Sequence, residues 1–275
     1  MIKDFEYSIE PEGKNLYEWQ ELWQYRELFF FFTWRDVKVK YKEAVLGILW
    51  VILQPILTVV VFTLFLGYAL NVPSEGLPYP VFVLSGLLFW TLFSASINNA
   101  GNSMISNAPI IKKIYFPRII IPISSVLISF VDFVFSFGVF LLMLIYYGVS
   151  VDLMSVLWSW PAAILLMLIS TLGISCWLAA LNVKYRDFRF VVPYALQIGL
   201  FVTPVIYPIS ILGESWIANL IAINPLHGAI MLFRAPLGLE INSTELVISI
   251  VSGIFFQFAG LFYFKRTQAY FADLA

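Results

Sequence analysis

Four cations stand within the eight residues Arg35-Asp-Val-Lys-Val-Lys-Tyr-Lys42 (Arg35, Lys38, Lys40 and Lys42), directly before a long uncharged apolar run. Cations at the edge of such a run attract an anionic lipid head group or a pyrophosphate, each adding about 1 kcal/mol near a membrane surface. The same residues also serve as ordinary anchors on the cytoplasmic side, and the spacing leaves both roles open. Other reactive residues are isolated. His227 is the sole histidine and has no Cys, His or carboxylate cluster around it at metal-ligand spacing, so it reads as a satisfied structural residue. Asp132 is the one acid inside an apolar run. With no basic or His partner in the neighbouring runs it suits a hydrogen bond between helices better than a proton relay. The single cysteine, Cys176, rules out an intrachain disulfide and reads as a small buried hydrophobe. Gly13-Lys14 is followed by Asn15 and lacks the upstream glycine of a phosphate loop, and no nucleophile stands beside a base. The chain is expected to be non-catalytic, with no metal or cofactor of its own.

The elements that must position these residues are membrane helices. The chain is 61% hydrophobic and 12% charged, against about 25% charged in a soluble domain. A helix needs about 20 apolar residues to cross ~30 Å of hydrocarbon. Six stretches qualify as crossings: 44–70, 77–101, 119–149, 153–183, 190–207 and 246–264. Trp216–Ala222 and Leu226–Phe233 are each too short to cross and are separated by Asn224-Pro225. We expect re-entrant half-helices over 216–233 on the outer side, shielded by protein or lining a wet cavity. The fold class is thus an all-α polytopic membrane protein with a cytoplasmic segment over 1–43, a six-helix domain over 44–264 and a cytoplasmic tail over 265–275.

The basic residues orient it. Seven lie in the N-terminal segment (Lys3, Lys14, Arg26, Arg35, Lys38, Lys40, Lys42) and three in the first inner loop (Lys112, Lys113, Arg118). Three more lie in the second inner loop (Lys184, Arg186, Arg189) and two in the tail (Lys265, Arg266), which leaves Arg234 alone outside. Cytoplasmic loops retain Lys and Arg, so both termini are expected inside. The first 28 residues carry seven acids, which is the wrong chemistry for a signal peptide.

Three segments carry further expectations. Leu16–Phe32 reads as a helix along the membrane surface with Leu16, Trp19 and Trp23 on one face, either a passive anchor or a docking surface. Ile110–Phe116, between Pro109 and Pro117, suits a small helix across the membrane face, either a connector or a bridge that passes motion from a soluble motor. Aromatics make up 18% of the chain, and most belong to lipid-facing or interfacial positions. By depth, Phe65, Tyr68, Phe89, Trp90 and Tyr207 are the candidates to line a pathway, where flat rings offer an apolar face to the C–H face of a sugar.

Several blocks keep a shared order and spacing over about residues 30–235. They are Arg35-Asp36, Leu46-Gly-Ile-Leu-Trp50, Gln54-Pro55, Tyr115-Phe-Pro-Arg118, Leu181-Asn-Val-Lys-Tyr-Arg-Asp-Phe-Arg189, Thr203-Pro-Val-Ile-Tyr-Pro208 and Asn224-Pro225. Together they resemble the polysaccharide-export branch of the type-2 ABC exporter permeases, which includes O-antigen and teichoic-acid permeases. The resemblance implies a homodimer of six-helix subunits in a bacterial inner membrane, with two copies of a separate ATP-binding cassette ATPase that binds ATP and Mg. It implies a glycan substrate on an undecaprenyl-type pyrophosphate lipid, and nucleic acid is not among the expected partners. It places the ATPase-coupling residues at Ile110, Lys112, Lys113 and Tyr115 and at Lys184, Arg186 and Arg189. Leu16–Phe32 is implied as the interface helix, and the first, second and fifth crossings as the channel border. Trp216, Asn224, Pro225 and Arg234 are implied in an outer gate. One departure stands out. Family members commonly carry an acid three residues before that arginine, and Met231 stands there in this chain. Glu214, Glu240 and Glu245 are the candidate replacements. Rival readings are a drug or lipid exporter of the same fold, a membrane glycosyltransferase and an ion-coupled carrier using Asp132.

Overall fold

The computed structural model describes residues 19–42, 47–212, 216–268 and 271. The described residues of the expected cytoplasmic segment form α1 (Trp19–Gln24) and α2 (Arg26–Lys42), joined at Tyr25. This differs from the expected surface helix over 16–32. Residues 16–18 lie outside the described residues, and helix continues past Phe32 to absorb all four cations. The packed face also differs, because Trp23 is 71% exposed while Phe32 is buried, with Leu22, Tyr25, Leu28 and Phe29 packed beside it.

Four long apolar helices follow the pattern of the uncharged runs: α4 (Tyr79–Ser106), α6 (Ile120–Tyr147), α7 (Leu153–Lys184) and α11 (Ser243–Gln268). The first run forms α3 (Gly47–Phe62), which continues as a π-helical segment, Thr63–Ala69. The link after α4 holds α5 (Ala108–Ile111). The fifth run forms only α8 (Phe188–Val202), whose 15 residues reach about 22 Å. The rest of that run, Thr203–Tyr207, is non-helical and mostly buried. Two short helices, α9 (Trp216–Ala222) and α10 (Pro225–Arg234), meet at a 95° bend at Asn224-Pro225.

Hydrogen bonds sort the helix ends into two poles. At one pole Asn182 Nδ2 donates to Gly101 O at 2.8 Å, Arg35 reaches Asn107, and Arg118 donates to Gln268 O. This pole carries both basic loops and Lys265 and Arg266, and is called the basic pole. At the far pole Tyr79 Oη donates to Ile206 O at 2.8 Å, Ser210 Oγ to Glu75 at 2.6 Å, and Asp152 N to Pro236 O at 2.9 Å. Asp152 also caps α7 at this pole, and the Ser155 hydroxyl holds its carboxyl below the usual range. With these ends placed, α4, α6, α7 and α11 each run pole to pole, as do α3 with its π extension and α8 with its non-helical tail. The α9–α10 pair lies toward the far pole, and its sharp bend is that of a broken span or a re-entrant loop.

The bundle has one core for each half. Toward the far pole, rings from α4, α6, α7 and α10 pack together, with Phe89, Phe140 and Trp160 within 5.0–5.1 Å of Phe233. The indole N–H of Trp160 donates to Phe233 O at 3.0 Å, so this tryptophan buries without an orphaned donor. The basic pole has its own cluster, which includes Phe32, Ile111, Phe116, Cys176, Val183, Phe264 and Phe271. Between these clusters α7 and α11 touch backbone to backbone, since a Cβ on Gly260 would lie 1.9 Å from Gly173 O. Small residues at a membrane-helix crossing allow this approach.

Candidate functional site

The extension of α2 carries Arg35 onto the end of α4 and Lys40 onto the middle of α6. Arg35 Nη2 donates to Asn107 Oδ1 at 2.9 Å, its Nε pairs with Asp36 at 2.6 Å, and its guanidinium lies 5.0 Å from the Phe32 ring. Lys40 forms an ion pair with Asp132, and Tyr41 Oη donates to the same carboxylate. Asp132 therefore has a basic partner, contrary to the sequence reading. That partner comes from a helix expected to end ten residues earlier. The interhelical hydrogen bond itself is present, and it ties α2 to α6.

Arg35 and Lys40 line a cleft of about 790 Å³ between α2, α4 and α6. Lys38 and Lys42 are exposed and stand outside its lining. The opposite wall is a polar face of α4, with Asn98, Asn99, Asn102 and Ser106. Sequence reasoning passed over this wall, although the run Ser94–Asn107 holds eight Ser and Asn residues in an otherwise apolar helix. A cation pair facing amides at the end of an apolar bundle suits a ligand with an anionic group and hydroxyls.

At the same pole Ile111 and Phe116 are buried in the basic-pole cluster and pin the loop between α4 and α6. The residues between them project outward. Lys112 and Lys113 are exposed, and Tyr115 is 76% exposed. Helix here is shorter and earlier than the expected Ile110–Phe116. It comprises α5 and two further turn bonds, from Lys113 N and Ile114 N to Ile110 O at 3.0 and 3.1 Å. Lys184, Arg186 and Arg189 are likewise exposed, and Val183 beside them joins the cluster that holds Ile111.

The five pathway aromatics divide. Phe65 and Tyr68 are 64% and 75% exposed on the π segment, and Tyr207 is half-buried at the far pole. Phe89 is 0% exposed and Trp90 7%, so neither ring lines an open surface of the protomer. Phe89 packs on Phe133 and Phe233, and Trp90 packs against Phe93 and Gly199. Depth in a helix does not reveal which side faces its neighbours, and for these two residues that side decides.

At the far pole Arg234 is buried and has no carboxylate within ion-pair distance among the described residues. It donates to Ser85 Oγ at 2.9 Å, Phe82 O at 3.0 Å, Pro204 O at 3.2 Å and Val205 O at 2.9 Å, and lies 3.7 Å from the Phe82 ring. Two of these carbonyls belong to the non-helical stretch after α8, where backbone at membrane depth needs partners. Among the described candidates, neither Glu240 nor Glu245 forms an ion pair with Arg234. Glu245 is engaged by His227 at 2.7 Å and by Asn242, and Glu240 makes no ion pair among the described residues. Glu214 lies outside the described residues. His227 is thus buried and satisfied. Asn224 caps α10 by accepting from Leu226 N at 3.1 Å and donates to Thr203 Oγ1 at 2.8 Å. Pro225 opens α10, and Trp216 stands exposed at the start of α9.

Residues 27–237 match the ABC-2 type transporter family. The chain is 31% identical over 245 residues to the O-antigen export system permease protein RfbA of Klebsiella pneumoniae, covering 88% of this chain and 92% of that one. It is 32% identical over 219 residues to the RfbA permease of Myxococcus xanthus, covering 78% and 82%. The polysialic acid transport protein KpsM of Escherichia coli is 22% identical over 209 residues, covering 73% and 77%.

Proposed function

The chain belongs to the ABC-2 type transporter family, and from that premise we propose that it exports a lipid-linked polysaccharide, O-antigen-like in kind, across a bacterial inner membrane. It is a non-catalytic permease subunit of an ABC exporter for polysaccharide, and ATP hydrolysis belongs to a separate subunit. The observation that carries the finer reading is the asymmetry of the bundle. One pole gathers the basic loops on a packed cluster, with a cleft lined by Arg35 and Lys40, each ion-paired to an aspartate, beside them, and the far pole closes on a buried arginine.

In this reading the basic pole is cytoplasmic. Two ATPase copies dock on the outward residues around Ile110, Lys112, Lys113 and Tyr115 and on Lys184, Arg186 and Arg189. Arg35 and Lys40, with Lys38 and Lys42 nearby, hold the anionic head group at the membrane face. Two copies of this chain then enclose the channel through the sparsely packed α3 and α8, so that Phe65, Tyr68 and Tyr207 face the passing sugar chain. The hairpin of α9 and α10 around Trp216, Asn224, Pro225 and Arg234 forms the outer gate. ATP binding closes the motors, and the movement reaches α2, α7 and α11 through the basic-pole cluster.

The test is export in cells that carry this permease with its partner ATPase. Replacing the phosphate-loop lysine of the ATPase should abolish surface glycan. The substitution Asp132→Asn should leave ATP-dependent export in place, because Asp132 ties α2 to α6 and is no ion carrier. Export that survives loss of ATP hydrolysis and stops with Asp132→Asn would reverse the assignment.

A further inference from the structure

We infer that the amide face of α4 is a sugar subsite that reads the first residues of the glycan beside the phosphate-binding cations. The inference rests on the proposed export of a lipid-linked glycan and adds the atoms that recognise its reducing end.

The geometry begins with spacing. Asn98, Asn102 and Ser106 recur every fourth residue, so they form one stripe along α4, with Asn99 beside it. The stripe spans about 12 Å of helix. Its amides are largely uncommitted. Asn99 uses its Nδ2 on Ser129 Oγ at 3.2 Å, and Asn102 uses its Nδ2 on Asn98 O at 3.0 Å, so both Oδ1 acceptors are open. The Asn98 side chain makes no hydrogen bond among the described residues. Each Asn offers two donors and a two-lone-pair acceptor, which is the pairing that neighbouring sugar hydroxyls require.

The cation side is held in position. Asn107 and Asp36 fix the Arg35 guanidinium from two directions, and Asp132 holds Lys40 across the cleft from the stripe. An incoming phosphate therefore meets the fixed Arg35 donors that Asp36 and Asn107 leave free, and competes with Asp132 for Lys40. The cleft, about 790 Å³, has room for a phosphate group and a sugar together. An ordinary phospholipid head group satisfies the cations and leaves the amide stripe unused, so a glycosylated lipid is favoured over a bare one.

The experiment uses the permease–ATPase complex in nanodiscs. The probes are polyprenyl pyrophosphate and the same lipid bearing one hexose. We expect the glycosylated lipid to bind at least about fivefold more tightly, since one good hydrogen-bonded group is worth about one factor of ten. The double substitution Asn98→Ala with Asn102→Ala should erase that preference and leave binding of the bare lipid intact, whereas Arg35→Ala should weaken both lipids alike. Asn102→Cys gives an independent readout that does not depend on Ala variants folding well. The sole native cysteine is buried, so maleimide labelling reports the introduced thiol, and the glycosylated lipid should protect it more than the bare one. Equal affinity for the two lipids in the wild type, or an unchanged preference in the double variant, overturns the subsite. So does displacement of both probes by phosphatidylglycerol in the nanodisc bilayer, which marks a general anionic-lipid site. A subsite that fails while export still requires the ATPase leaves the export reading standing.

Discussion

A guanidinium with no carboxylate in ion-pair contact among the described residues is costly to bury, and Arg234 shows what makes it tolerable. Its donors serve Ser85 Oγ and three backbone carbonyls, two of them in the stretch Thr203–Tyr207 that leaves helix before the far pole. Arg234 therefore completes the backbone hydrogen bonding of the non-helical stretch that follows α8. Substituting Arg234→Met leaves at least the Pro204 and Val205 carbonyls without this donor, at about 1–3 kcal/mol each. Unfolding in mixed micelles should show a loss of about 2–6 kcal/mol, with Arg234→Lys intermediate because an ammonium lacks the planar fork. An Arg234→Met protein as stable as the wild type would mean those carbonyls find other partners. The sequence marks Arg234 as the lone cation on its side of the membrane. Its partners are not legible there, because a carbonyl carries no residue type. The Lys40–Asp132 pair is hidden in the same way, because nothing in the sequence between Phe32 and Lys42 marks that helix continues to Lys40.

Hydropathy makes the crossings of this chain legible and leaves their facing largely hidden. The four long helices α4, α6, α7 and α11 fall on long apolar runs, because length and apolarity alone define them. The burial of Phe89 and Trp90 within the protomer is not legible in the sequence, because a helix that is apolar all round does not distinguish a lipid-facing ring from a core ring. The extent of α2 was misjudged because its aromatic-rich stretch carries no clear amphipathic period to mark where it ends. The α7–α11 seam is a facing that only the fold reveals, and it separates two glycines of equal standing in sequence. A Cβ on Gly260 meets Gly173 backbone at 1.9 Å, whereas one on Gly253 meets side-chain atoms, Ser170 Oγ at 2.6 Å and Leu166 Cδ1 at 3.0 Å, which can shift where backbone cannot. Overpacking costs about 1–3 kcal/mol. Gly260→Ala should fall at the upper end or beyond, and Gly253→Ala should cost about 1 kcal/mol or less, measured in the same unfolding assay. Equal effects would show that the two helices can separate without penalty.

At the scale of the molecule, the two poles are built for different mechanical tasks. The far pole is knitted by hydrogen bonds among Tyr79, Arg234, Asp152 and the loop carbonyls. The basic pole instead packs Phe32 of α2, Ile111 and Phe116 of the first loop, Val183 of α7 and Phe264 of α11 into one apolar cluster. A push on the loop is shared by three helices because their side chains are in contact, whereas the outward residues Lys112 and Lys113 take no part in that packing. Docking and transmission should therefore separate by mutation. Reversing charge with Lys112→Glu and Lys113→Glu alters exposed side chains, so stability should change by no more than about 0.5 kcal/mol, while co-purification of the ATPase falls about tenfold or more. Phe116→Leu keeps an apolar residue but removes the ring that lies 5.7 Å from Phe32. It should leave ATPase co-purification and ATP turnover in place and lower the glycan exported per ATP. If the charge reversal leaves the complex intact, the motor docks elsewhere on this pole. If Phe116→Leu lowers turnover and export together, the cluster supports the binding surface and does not relay its movement.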